Sequence, residues 1–216
     1  MRALLLLGLL APLGCASAPA AGGPPPVVRF AVVPAPRVGD EAGEGEELLL
    51  EAVTELSLED SLAFCLVPGP LTATADPAAA EALGGALGSV AAPVIVGPSA
   101  AEAARKEFLA TLAGCLEGEE GVVTARGPSV DGLTPLRDSA GDLVVRRDAG
   151  GRLRIALGET VALRREEGGL VLTLPPLRAP PHTIALVRSE GGRLRVELRS
   201  LGDAPAPPGP GSLPWK

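Results

Sequence analysis

Hydrophobic and polar positions alternate along this chain with two different rhythms. Residues 27–33, VVRFAVV, are apolar apart from Arg29 and read as a β-strand that runs into a Pro-Ala-Pro-Arg-Val-Gly loop. Residues 46–56 place Leu48, Leu49, Ala52, Val53 and Leu56 on one face of a helix. A short apolar run at 62–67 reads as a buried strand. Residues 76–87 begin with an aspartate N-cap and a proline at the first helical position. A strand at 93–96 follows, then a helix from the capping box Ser99-x-x-Glu102 to about Leu116. The first half therefore reads β-α-β-α-β-α, the order of a mainly parallel sheet covered by helices.

From about residue 121 the rhythm changes to period two. Strands are predicted at 121–125, 142–147, 153–157, 169–174, 182–188 and 193–200, with tight turns at the glycine pairs 150–151, 168–169 and 191–192. This half is expected to be mostly antiparallel, with no convincing helix. The ends have another character. Residues 1–14 carry one positive charge and then an apolar run too short to span a bilayer, which is the anatomy of a secretory signal. Cys15 follows Leu13-Gly14 and resembles the acylated cysteine of a bacterial lipoprotein, although Pro12 stands where such signals prefer leucine. Cleavage near Ala16-Ser17-Ala18 is the rival reading. Residues 15–26 form a Pro/Ala/Gly tether, 27–201 the folded domain, and 202–216 a Pro/Gly-rich tail expected to be disordered, with Trp215 loose or packed on the surface.

Composition narrows the chemistry. The 216 residues are 46% hydrophobic with three Phe, one Trp and no Tyr, so the core is built from Leu, Val and Ala. A net charge of −7 and the lack of a basic patch with interleaved aromatics give nucleic-acid binding no support. The single histidine, His182, excludes a zinc site with several His ligands. There is no phosphate-binding Gly-x-x-x-x-Gly-Lys-Ser/Thr loop and no Gly-x-Ser-x-Gly elbow, and no cofactor is expected. Asp131, Asp138, Asp142 and Asp148 read as residues that bond locally in turns. If Cys15 is acylated, Cys65 and Cys115 remain; they are read either as small buried apolar residues or as a disulfide permitted by an oxidising compartment.

The order of strands, glycines and helices over residues 27–200 resembles the calcineurin-like metallophosphoesterases. That resemblance implies an α/β fold of two packed sheets flanked by helices, with two metal ions held at loops after the strands. Carried onto this chain, the family's metal-binding positions fall on Ala35 and Arg37 in the first loop and on Pro70 after Gly69 in the second. They fall on Pro98 and Ser99 after Gly97 in the third, and on Glu159 and Val161 after Gly158 in the last. Alanine, proline and valine have no side-chain donor atom, and arginine repels a cation. The expectation is a fold that persists without hydrolysis: an exported lipoprotein anchored to a membrane through Cys15, with a partner protein or envelope component to bind. A hydrolase with a rebuilt site near Glu159, or an unrelated α/β envelope module, are the alternatives. Arg37 and Glu159 are expected to form an ion pair where the family holds its metals.

Overall fold

The computed structural model describes residues 27–116, 126–127, 129–202 and 205–215. The signal, Cys15, the tether and the strand expected at 121–125 lie outside the described residues. The first half runs β1 (Val28–Val32), α1 (Glu44–Ser57), β2 (Leu62–Pro68), α2 (Pro77–Leu87), β3 (Val94–Gly97), α3 (Ala100–Ala103) and α4 (Lys106–Cys115). The second half contributes β4 (Leu133–Arg137), β5 (Leu143–Arg147), β6 (Arg152–Leu157), β7 (Ala162–Glu166), β8 (Gly169–Leu174), β9 (Thr183–Glu190), β10 (Arg193–Ser200) and β11 (Gly211–Pro214).

These strands make two mixed sheets, ordered β11-β10-β9-β1-β2-β3 and β4-β5-β6-β8-β7. β1, β2 and β3 pair in parallel, as the βαβ connections require, while β9 lies antiparallel to β1. In the second sheet only β6 and β8 are parallel. The architecture is thus α/β, with two sheets flanked by helices. Period-two alternation sorts β1 between two cores. Val28, Phe30 and Val32 join Phe64, Leu66, Leu153, Leu172 and Trp215 between the sheets, where the rings of Phe30 and Phe64 stack with centroids 5.0 Å apart. Ala31 and Val33 face Leu49, Val53, Leu83 and Phe108 in the helical layer.

Two expectations need correction. The helix expected from 99 to 116 is broken at Arg105, whose backbone is extended. Glu102 points inward between the second and third loops, whereas Phe108 and Leu112 point into the helical layer. The chain leaves the helical conformation at Arg105, so Ala100–Ala103 and Lys106–Cys115 are two separate helices. The tail expected to be disordered over 202–216 supplies β11, which pairs antiparallel with β10, and Trp215 is buried rather than loose or surface-packed. Its proline content bars an interior strand but not an edge one, and β10 offers an open edge beside the inter-sheet core. Of the two readings given for Cys65 and Cys115, the structure has two free thiols, Cys65 buried and Cys115 half-buried. Cys65 lies in the middle of β2, and Cys115 is taken up by α2, where a β-carbon on Gly84 would come within 2.3 Å of the Cys115 Cβ.

Candidate functional site at the strand ends

Beyond their last strand residues, the chains leaving β1 and β2 stay paired. Ala35 donates its N–H to the Pro68 carbonyl and Val38 to the Leu71 carbonyl, while Ala73 donates back to Val38. Leu177, arriving from β8, donates to the Pro34 carbonyl. The first loop is therefore stitched by backbone on both sides. Ala35 is fully buried and Arg37 is turned out to solvent.

The second and third loops are joined by one side chain. Glu102 is 3% exposed. Its Oε1 accepts from Leu71 N–H at 2.7 Å, Thr72 N–H at 2.8 Å and the Thr72 hydroxyl at 3.0 Å. Its Oε2 accepts from the Ser99 N–H and hydroxyl, each at 2.7 Å. The capping box read in the sequence is present, but the same carboxylate also reaches thirty residues back along the chain to hold the loop after β2. A buried charge is tolerable only with this degree of hydrogen bonding. The loops approach so closely that a β-carbon on Gly69 would lie 2.7 Å from Ser99 N and 3.0 Å from the Glu102 Oε2.

A cleft of about 700 Å³ opens between the sheets at this end, bordered by Gly69, Pro98 and Ser99 on one side and by the β4–β5 turn and β6 on the other. Arg137 spans it: its Nη2 donates to the Pro98 carbonyl and its Nε to the Gly141 carbonyl. The remaining charges pair among themselves. Arg152 meets Asp138 at 2.6 Å, and Arg154 meets Asp142 at 3.1 Å and Glu166 at 3.0 Å. The hydrogen bond that Arg154 donates to Asp142 holds its guanidinium charged even more firmly than usual. Asp138 also accepts from the N–H groups of Ala140 and Asp142, the local turn role its position predicts.

The positions singled out in the sequence are only partly brought together. Pro98 and Ser99 line the cleft with Gly69. Pro70 is exposed, Val161 packs half-buried against the inter-sheet core, and Glu159 is exposed. The ion pair expected between Arg37 and Glu159 does not form: both side chains face solvent, and neither has an oppositely charged group within 4.0 Å among the described residues. The first loop is clasped instead by Arg178 from the β8–β9 connection, which meets Asp40 at 2.8 Å and Glu44 at 2.7 Å. Arg137 and the inward reach of Glu102 were not foreseen. The capping motif marks Glu102 in the sequence; only the fold shows that it bridges two loops.

These donor atoms can be set against the two metal ions that the resemblance implies. Two divalent ions about 4 Å apart need several carboxylate or imidazole ligands. No three His, Cys, Asp or Glu side chains converge suitably among the described residues. The one carboxylate buried between the loops has both oxygens engaged by protein donors. The residues present do not fit a two-metal centre.

No family model matches this sequence. No curated protein matches it either. A solved structure described as a novel archaeal phosphodiesterase aligns over 80% of this chain and 100% of its own, with a TM-score of 0.48 and 8% identity. A likeness at that level carries no argument about this chain.

Proposed function

We propose that the domain is a metallophosphoesterase-like fold that works without hydrolysis, as a binding or scaffolding module of the cell envelope held to a membrane through an acylated Cys15. The observation that carries the non-catalytic reading is Glu102. At the loop ends where the family gathers metal ligands, this chain has one buried carboxylate saturated by five protein donors. Backbone pairing seals the first loop, and Arg137 brings a cation to the cleft where a hydrolase would need to attract two more. The apolar run ending at Leu13-Gly14-Cys15 supports export and anchoring.

Two measurements test this reading. The purified protein is expected to bind no stoichiometric Mn²⁺ or Zn²⁺ and to leave a nitrophenyl phosphate diester intact; metal-dependent turnover that is lost in Glu159→Gln would restore the hydrolase. In cells, labelled palmitate is expected on the parent chain and absent from Cys15→Ala. Equal label on both sinks the anchor.

A further inference from the structure

The helices cover one face of the first sheet over β1–β3, but the same face of β10 is bare, with Arg193, Arg195, Glu197 and Arg199 exposed at every second position. One rung of this face is unusual. Arg29 on β1 lies directly opposite Arg188 on β9, and Arg188 lies directly opposite Arg195 on β10. Residues directly opposite in a ladder point to the same face, on strands about 4.8 Å apart. Three arginines therefore stand abreast, an arrangement that like-charge repulsion disfavours.

The acids nearby only partly relieve it. Glu59 is 3.8 Å from Arg29 but closer, at 3.2 Å, to Arg199. Arg188 meets Glu190 at 3.0 Å, while Arg195 has no carboxylate within 4.0 Å among the described residues. The Nε–H of Arg188 is buried and has no acceptor among the described residues. The rung borders a concavity of about 210 Å³ shared with the apolar side chains of Leu62 and Leu186.

We propose that this arginine rung is a binding site for a soluble phosphate monoester, separate from the strand-end cleft. The terminal oxygens of the phosphate accept from Arg29, Arg188 and Arg195, and the organic part rests on Leu62 and Leu186. Guanidinium forks match phosphate oxygens in geometry as well as charge, and three guanidiniums exceed what the two oxygens of a single carboxylate can engage. The small, concave site with Glu59 and Glu197 at its border suits one phosphate group. A net charge of −7 opposes docking of the whole chain on an anionic bilayer.

Calorimetric titration of the full chain with phenyl phosphate and with inorganic phosphate tests the proposal. One site per chain is expected, tighter for phenyl phosphate because of the apolar floor, and weakening as salt rises. Arg195→Gln is expected to weaken binding about 10-fold or more, the loss of one charge-assisted hydrogen bond. Arg164→Gln, exposed on β7 in the other sheet, is expected to leave it unchanged. Because Arg195 holds no ion pair among the described residues, its substitution should leave the unliganded melting temperature unchanged or higher. No saturable heat with either ligand, or equal affinity in Arg195→Gln and the parent, overturns the site. Binding to phosphatidylglycerol vesicles with none to phenyl phosphate overturns the soluble ligand. None of these outcomes depends on whether the strand-end cleft hydrolyses anything.

Discussion

Replacing Glu102 by glutamine keeps the volume of the side chain and changes one oxygen to an amide nitrogen. The Oε1 end faces three donors, two of them backbone N–H groups. The new amide nitrogen is therefore best placed at the Ser99 end, where the hydroxyl can rotate to accept from it. The Ser99 N–H, 2.7 Å from the parent carboxylate oxygen, is then left facing another donor. One orphaned buried donor costs about 1–3 kcal/mol, and the surviving bonds weaken on losing the charge. Relief of the buried charge offsets part of that. The expected net loss for Glu102→Gln is about 2 kcal/mol. Glu102→Ala strips acceptors from Leu71, Thr72 and Ser99 together. Even if water enters the hole, the loss should reach about 4 kcal/mol, a large share of the roughly 5–15 kcal/mol that stabilises an ordinary domain. Urea unfolding measures both as shifts in midpoint at constant slope. Hydrogen exchange should show the Leu71, Thr72 and Ser99 amides opening first in the alanine variant. A glutamine variant within about 0.5 kcal/mol of the parent, the range of a neutral surface change, would refute the clamp.

Gly69→Ala should cost about 1–3 kcal/mol by urea unfolding, because its new methyl meets Ser99 N and the Gly97 carbonyl; a neutral result would mean that the loops part easily. Trp215, the only tryptophan, should emit at short wavelength and resist iodide quenching, and Trp215→Ala should cost about 3–5 kcal/mol; solvent-like emission would show that the tail is not docked. Burial pushes the Cys65 thiol up to about 12 from an ordinary value of 9.0. Its neutral form is favoured by folding, so this contribution is complete below pH 9 and is lost as pH rises toward 12. Three pH units correspond to about 4 kcal/mol. Alkaline unfolding should therefore be delayed in Cys65→Ala relative to its own neutral-pH stability. An unchanged alkaline limb would rule out Cys65 as its source. Iodoacetamide should label Cys65 only after unfolding.

Local pattern was enough for much of the fold. The periodicities of β1, α1, β2, α2 and β3, and of β8–β10, each belong to a single segment, and every one is where its apolar rhythm puts it to within a few residues. The Asp76 cap and the Ser99 box are likewise spelled by neighbours in the chain. β4 escaped notice because Leu133–Arg137 contains a proline; its strand character comes from the ladder beside it.

Donor chemistry, too, was readable without a structure: the side chains of alanine, proline and valine at the strand ends cannot ligate a metal in any fold. What only the tertiary structure decided was pairing. The partner of Glu102 lies thirty residues away, the partner of Arg178 is more than a hundred residues distant, and the arginine rung exists only because β1, β9 and β10 meet in one register. Trp215 found its place because an open strand edge and an unfilled core lay side by side. Side-chain identity sets what a residue can bond to, and period sets which face it occupies. Which residue stands opposite is fixed by the register and packing of distant segments, a property that no short stretch of the sequence contains.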